Sequence, residues 1–279
     1  TLSVVADPCL TLHWDGNINY TDRKSNVTAT PTGGVSTLGL GRVGGIGTFD
    51  GLSNRNKSFS FDGTGYLDAT IAGSVAGDGD FSVSAWVQTT SNMPMVVINQ
   101  RGPDVVNFGD GFYGEYYLKI GGNQYDVAQN GNAGKAYFFM YDEFNNVAEV
   151  GVFSTSLVND GNWHHIKGER TGTTIKMYVD GVLEATDNTD GTVMLDGAIP
   201  TFIGADFRDQ AAYFNGLIDD IRVSMCAGTS NRSGSTTNSR SVTPSTTKIG
   251  TSSTTESIAR ETKLYPNPSS SVIRIQLET

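Results

Sequence analysis

The stretch TTIKMYVDGVLEAT (residues 173–186) decides the fold class. Apolar and polar side chains alternate on both sides of its central Asp-Gly pair, and that pair favours the tight turn of a β-hairpin. The same two-residue period occurs in FSVSAWVQT (81–89), EYYLKIG (115–121) and AYFFMYD (136–142). No stretch has a convincing helical period. The sequence therefore predicts an all-β protein with many short strands.

Charge and hydropathy argue against two classes of protein. The formal net charge is −10 over 279 residues, and the basic residues are too few and too scattered to neutralise a run of phosphates. We therefore expect no nucleic-acid partner. No apolar run reaches the roughly 18 residues that a membrane helix needs, so we expect no membrane span.

The two cysteines, Cys9 and Cys226, stand at opposite ends of the strand-rich part of the chain. If the first and last strands are neighbours, a Cys9–Cys226 disulfide would close a very long loop and would indicate an oxidising, extracellular location. The alternative is a pair of free buried thiols.

The composition changes near residue 227. Residues 227–260 are rich in Ser and Thr and poor in large apolar side chains, so this segment predicts a flexible linker after a domain at 1–226. Residues 261–279 contain LYPNPS (264–269) and the alternating VIRIQL (272–277). This tail resembles the start of the C-terminal sorting domain of type IX secretion in Bacteroidetes, here truncated. The resemblance implies a secreted or cell-surface protein; the alternative is a chance turn.

Five short motifs occur in an order that resembles the laminin-G-like, concanavalin-like jelly roll. They are FDG (61–63), FSVSAWV (81–87), WHHI (163–166), MYVDG (177–181) and FNGLIDDIR (214–222). The resemblance covers nearly all of residues 10–225. It implies a two-sheet antiparallel jelly-roll sandwich with one concave sheet.

The motif LIDDIRV predicts an acidic side chain among apolar ones. Strand alternation places Leu217, Asp219, Ile221 and Val223 on one face, which would bury the Asp219 carboxylate if that face is the core. Related sandwiches often hold a structural calcium between an early and a late strand, and Asp15 is the natural second ligand. The alternative is that Asp219 caps a turn through backbone N–H groups.

One chemistry known on this fold is β-elimination from uronate polysaccharides. Two segments loosely resemble the catalytic strands of alginate lyases, VINQR (97–101) and TFIGADFRDQ (201–210). Gln100 matches the first pattern, whereas Arg101 stands at its histidine. The tyrosine of the second pattern falls on Phe207 or Arg208.

Alternation supplies substitute groups for this reaction. In EYYLKIG it sends Tyr117 and Lys119 away from the core, and in the preceding strand Asn99 and Arg101 share a face. We expect Arg101 to neutralise the sugar carboxylate, Lys119 to act as base, and Tyr213 or Tyr117 to act as acid. The predicted substrate-binding residues are Asn99, Gln100, Tyr117, Tyr137, Tyr141 and Arg208.

Three functions fit these features. We favour a secreted polysaccharide lyase that cleaves an acidic, ulvan-like glycan. The alternatives are a non-catalytic carbohydrate-binding or adhesion module of laminin-G type and a purely structural surface domain. The expected partner is an extracellular polysaccharide, and the expected state is a monomer.

Overall fold

The computed structural model describes residues 9–15, 19–40, 57–70, 74–101, 114–122, 131–142, 147–195, 197, 199–206 and 212–225. The chain divides into two units, Thr1–Asn231 and Arg232–Thr279, and every described residue belongs to the first unit. The predicted linker at 227–260 and the predicted sorting segment at 261–279 lie outside the described residues and stay predictions.

The described residues form β-strands and turns, and none of them lies in an α-helix. The strands are β1 (Leu10–Trp14), β2 (Thr30–Thr32), β3 (Val35–Leu40), β4 (Lys57–Asp62), β5 (Tyr66–Asp68), β6 (Phe81–Gln88), β7 (Met95–Gln100), β8 (Glu115–Ile120), β9 (Lys135–Asp142), β10 (Val147–Leu157), β11 (His164–Thr171), β12 (Thr174–Val179), β13 (Val182–Asn188), β14 (Thr201–Ile203) and β15 (Asn215–Met225). Within this part of the chain, no helix has the length and apolar character needed to cross a membrane.

These strands build two sheets in which neighbours run antiparallel. The eight-stranded sheet has the order β13-β12-β11-β6-β15-β4-β3, and β1 pairs with β15 beside this row. The seven-stranded sheet has the order β10-β9-β8-β7-β14-β5-β2. The predicted all-β jelly-roll sandwich with two antiparallel sheets is confirmed.

The main core lies between the two sheets, where strand alternation directs apolar side chains inward. On β6 the buried inward side chains are Phe81, Val83, Ala85 and Val87. The Phe81 ring lies 5.1 Å from Tyr116 of β8 and 6.1 Å from Phe138 of β9, so it joins the sheets directly. Burying a side chain of this size contributes about 2 kcal/mol, and such contacts hold the sheets face to face.

The hairpin between β12 and β13 has the predicted turn. Val179 pairs with Val182, and the two residues between them, Asp180 and Gly181, have φ angles of 50° and 82°. Two consecutive positive φ angles are what a two-residue loop between twisted strands requires, and Asp-Gly adopts them at low cost. The hairpin prediction is confirmed.

The alternation predicted for β15 is wrong because the strand contains a bulge. The register against β6 shifts between Asp219 and Arg222, and Asp220 has a φ of 50°. This extra residue resets the alternation, so Ile218 lies in the core while Leu217 is only half-buried. Asp219 is therefore on the opposite face from Ile218, although only 8% of its surface is exposed.

Candidate functional site

The three strands expected to carry the site are neighbours, in the order β7, β8, β9 within the seven-stranded sheet. Asn99 pairs with Tyr117, which pairs with Phe139, so these residues form one row across the strands. The adjacent side chains Tyr116 and Leu118 point into the main core. The prediction that these strands turn Tyr117 and Lys119 to the outer face of one sheet is confirmed.

Aromatic rings dominate this outer face. Tyr117 stacks on Phe139 at 4.6 Å, Phe139 on Tyr137 at 5.5 Å, and Tyr137 on Phe153 of β10 at 4.0 Å. We call these four residues the outer aromatic cluster. Tyr141 is half-buried and packs against it. Tyr117, Tyr137 and Phe139 are themselves buried, so they form a second apolar cluster on a face that is usually polar, and Phe153 and Tyr141 stand half-buried at its margin.

The predicted base, Lys119, lies among these rings. Its Nζ atom is 5.8 Å from the ring centre of Tyr117, 5.4 Å from Tyr137 and 5.5 Å from Phe139. Only 6% of Lys119 is exposed. The faces of three rings thus hold the Lys119 ammonium by cation–π contacts.

Arg101 lies in a network with two carboxylates. Its Nη1 is 2.5 Å from Oδ2 of Asp206, and its Nε is 3.4 Å from Oε2 of Glu115. Its guanidinium carbon also lies 5.7 Å from the ring centre of Tyr117, the same ring that Lys119 approaches. The structure thus brings Arg101 and Lys119 together around one tyrosine, and Asp206 and Glu115 both lie within ion-pair distance of Arg101.

The hydroxyl of Tyr117 belongs to the same network. It donates a hydrogen bond to Oδ2 of Asp206 at 2.9 Å. Burial, followed by the Asp206 charge, raises the pKa of Tyr117 well above its ordinary value, although Arg101 opposes this effect. Tyr117 is therefore a weak proton donor for a leaving oxygen.

The two amide residues of β7 face opposite ways. Nδ2 of Asn99 donates to the carbonyl oxygen of Ala205 at 2.7 Å, whereas its Oδ1 has no hydrogen-bond partner although it is buried. Gln100 is fully buried and uses both ends of its amide on the backbone of Val75, at 2.7 and 2.9 Å. The structure therefore gives Gln100 a structural role instead of the predicted ligand-binding one.

Two predicted residues of this site remain, Tyr213 and Arg208. Tyr213 is half-buried and follows Ala212, which packs against the cluster. No hydrogen bond joins the Tyr213 hydroxyl to Arg101 or Lys119 among the residues that the structure describes. Arg208 lies outside the described residues.

Sequence reasoning missed Glu115, Asp206 and Phe153. Glu115 could have been found, because it stands two residues before Tyr117 and alternation puts both on one face. Asp206 comes from a distant segment and meets Arg101 only through the pairing of β14 with β7. No local pattern shows that contact.

The acidic residues suggested for calcium already have partners. Asp15 forms an ion pair with Arg23, and Oδ1 of Asp219 accepts a hydrogen bond from the backbone N–H of Asp220 at 2.8 Å. The described residues contain no group of three or more His, Cys, Asp or Glu side chains suited to a metal ion. Calcium at Asp15 and Asp219 stays a prediction.

The predicted disulfide depends on the first and last strands being neighbours. β1 pairs with β15, and the carbonyl oxygen of Cys9 accepts a hydrogen bond from the backbone N–H of Met225 at 2.8 Å. Cys226 lies outside the described residues, so the Cys9–Cys226 bond stays a prediction.

Comparisons with known proteins give the family. Residues 61–232 match the model of the concanavalin A-like lectin/glucanases superfamily. Domain 4 of AbnA, an extracellular GH43 arabinanase from Geobacillus stearothermophilus solved with arabinotriose, is similar in structure, with a TM-score of 0.50 and 17% identity. The similarity covers 77% of this chain and 92% of that domain.

The binding domain of Paraclostridial Mosquitocidal Protein 1 is similar as well, with a TM-score of 0.51 and 12% identity over 77% of this chain and 48% of that one. At such identities both likenesses show the fold alone. No curated protein matches the chain. Since the family model spans more than half of its length, the chain belongs to the concanavalin A-like lectin/glucanases superfamily.

Proposed function

We propose that this protein is a secreted carbohydrate-binding module that holds a polysaccharide against the outer face of its seven-stranded sheet. The observation that carries the proposal is the margin of the outer aromatic cluster, where the half-buried rings of Phe153 and Tyr141 lie on a face that alternation would normally make polar. Sugars present apolar ring faces and many hydroxyls, so aromatic side chains next to hydrogen-bonding groups suit them.

Polar groups around the rings support the same function. Arg101 keeps about a fifth of its side chain exposed, and Tyr141 and Phe153 are half-buried at the margin of the cluster. Below them, Oδ1 of Asn99 is a buried acceptor that lacks a partner. A buried polar atom without a hydrogen bond costs free energy, and such atoms recur where a ligand or a water supplies the missing donor.

The charges favour binding over lyase chemistry. A lyase needs a cation that is free to neutralise the uronate carboxylate. Here Asp206 and Glu115 take up Arg101, and three rings surround Lys119. The binding module, first weighed as the alternative, therefore becomes the primary proposal.

A polysaccharide lyase remains the second candidate because Arg101, Lys119 and Tyr117 do meet on one face. Unsaturated uronate products absorb ultraviolet light. Incubating the protein with ulvan, alginate, pectate and glycosaminoglycans therefore tests this candidate. A flat absorbance trace with all four rejects it.

Secretion is part of the proposal. It is supported by the expected Cys9–Cys226 disulfide and by the resemblance of residues 261–279 to a sorting signal. The expected partner is an extracellular polysaccharide, bound by a monomer.

Affinity gel electrophoresis with soluble polysaccharides tests binding at the cluster. Phe153→Ala and Tyr141→Ala should each weaken binding about tenfold, since losing one stacked ring costs about 1 kcal/mol or more. Met93→Ala, which changes a side chain that is 63% exposed, is the control and should bind like the wild type. Unchanged binding by both aromatic variants would remove the cluster as the binding site.

A further inference from the structure

The outer face of the eight-stranded sheet carries a row of three chemically distinct side chains. Asp219 of β15 pairs with Trp86 of β6, and Trp86 pairs with His165 of β11. The neighbours of Trp86 on β6, Ala85 and Val87, are fully buried in the main core, so Trp86 points outward. The row therefore lies on the opposite side of the sandwich from the outer aromatic cluster.

Trp86 does not belong to the main core. Trp86 is half-buried, and the next row on this face contains Ser84 between Arg222 and Lys167. Its ring contacts that of His165, with centroids 5.3 Å apart and planes at 50°. A large ring held near the middle of a polar sheet face is a feature of ligand contact more than of folding.

A built-in distortion places the carboxylate beside this ring. The bulge in β15 turns Asp219 to the outer face, and it requires a φ of 50° at Asp220, which is uncommon for a residue other than glycine. Backbone strain of this kind persists only where the surroundings enforce it, and it concentrates at functional sites.

Hydrogen bonds to the Asp220 carboxylate hold the bulge in place. One oxygen of Asp220 lies 2.6 Å from Nε2 of His13 and 2.9 Å from Nε of Arg222, and its second oxygen accepts from Nη2 of Arg222 at 3.1 Å. Burial raises the pKa of Asp220, but the hydrogen bonds from His13 and Arg222 outweigh it and hold that pKa at about 2. Asp220 therefore stays ionised and keeps the bulge in place.

The charges of this face indicate which ligand it suits. Lys167 and Lys176 both bind Glu169, at 2.7 and 2.9 Å, and Arg222 binds Asp220. Three cations thus face three carboxylates, Glu169, Asp220 and Asp219, so these described side chains carry no net charge. A sulfated or uronate polymer would find no excess positive charge here to attract it, whereas the hydroxyls of a neutral sugar could donate to Asp219 while its ring stacks on Trp86.

We propose that the row of Asp219, Trp86 and His165 is a second carbohydrate-binding site, specific for a neutral glycan. The chain would then hold polysaccharide on both outer faces of its sandwich. When one site has bound a polymer, the second site binds the same polymer at a high effective concentration. Two sites on one domain therefore raise the avidity above the affinity of either site.

Affinity gel electrophoresis of the full chain tests this site, with soluble arabinan, xylan and β-glucan as neutral probes and alginate as the anionic one. We expect Trp86→Ala to lower the affinity for at least one neutral probe about tenfold. Trp163→Ala is the matched control, because Trp163 is also a half-buried tryptophan but lies outside the row. Urea denaturation shows whether Trp86→Ala is folded. If it is not, Asp219→Asn replaces it and should also weaken binding.

Tryptophan fluorescence gives an independent readout, because the chain has three tryptophans and Trp14 is fully buried. A neutral probe should quench the wild type and Trp163→Ala but not Trp86→Ala. The inference is overturned if no neutral probe binds, if alginate alone binds, or if Trp86→Ala and Asp219→Asn bind like the wild type.

Phe153→Ala separates this site from the outer aromatic cluster. Loss of binding in Phe153→Ala alone supports the proposed function and overturns the second site. Loss of binding in Trp86→Ala alone supports the second site and contradicts binding at the outer aromatic cluster. Weaker binding in both variants supports two sites.

Discussion

Tyr117 donates its hydroxyl hydrogen to the fully buried Asp206 at 2.9 Å, and Arg101 binds the same carboxylate oxygen. Asp206 thus receives two donors from the two residues that a uronate substrate would have needed. The network supports the binding face from below: one buried carboxylate holds both donors, and the pKa of the Tyr117 hydroxyl is raised.

Removing that carboxylate should destabilise the fold. Asp206→Ala leaves the Tyr117 hydroxyl and the Arg101 guanidinium without their shared acceptor, and we expect it to lower the free energy of unfolding by about 3 kcal/mol. Urea denaturation measures the change. Asp187→Ala, at an exposed position, is the control and should stay within about 0.5 kcal/mol of the wild type. Equal midpoints for the two variants would contradict a structural role for Asp206.

Close packing between the sheets predicts a second effect. A Cβ atom added at Gly168 of β11 would lie 2.3 Å from Cδ2 of Phe138, a fully buried ring of the opposite sheet. Because that ring has no free space, Gly168→Ala should cost about 2 kcal/mol. Gly79→Ala is the matched control, since nothing lies within 4 Å of its added Cβ. Thermal unfolding of both variants checks this, and a Gly168→Ala melting temperature equal to that of the control would contradict the packing.

Local patterns predicted the strands and their faces well. The Asp180-Gly181 turn, and the outward direction of Tyr117 and Lys119, follow from alternation and turn chemistry within a few residues. The neighbouring positions of β7, β8 and β9 follow the tendency of consecutive strands to pair.

The errors come from features that have no local signal. The bulge at Asp220 puts Leu217 and Ile221 on opposite faces, because one extra residue reverses the alternation between the two sides of the bulge. The hydrogen bonds of Gln100 to Val75 and the contact of Asp206 with Arg101 join segments far apart in sequence. The contact of Arg101 with Asp206 is one reason why we favour binding over lyase chemistry. It could not be predicted before the fold was known.

The expected disulfide gives a third test. Cys9–Cys226 would close nearly the whole first unit into one loop, and the loop-entropy model assigns such a bond about 5 kcal/mol. We expect the denatured protein to have no free thiol, and a reductant to lower the urea midpoint sharply. Cys9→Ser, which removes the bond, should unfold at the same midpoint with and without reductant. Two free thiols in the untreated protein would exclude the bond.

His164 predicts how stability depends on pH. Its Nδ1 lies 2.8 Å from Oδ2 of Asp180, and its Nε2 lies 3.0 Å from Oδ1 of Asp160. A neutral imidazole has one N–H, so only the protonated ring donates to both carboxylates, which tie the β12–β13 turn to the loop before β11. Burial lowers the pKa of His164, but the bonds to Asp180 and Asp160 outweigh it, and the net shift is upward.

A raised pKa in the folded state fixes the sign of this effect. The stabilisation from His164 is complete below its unfolded pKa of about 6.5 and is lost as the pH rises through the higher folded value. The urea midpoint of the wild type should therefore exceed that of His164→Asn by more at about pH 6 than at about pH 9. Because the site is partly exposed and salt screens it, raising the ionic strength should shrink the difference. A gap between wild type and variant that is the same at both pH values would show that the ring acts through packing and not through its charge.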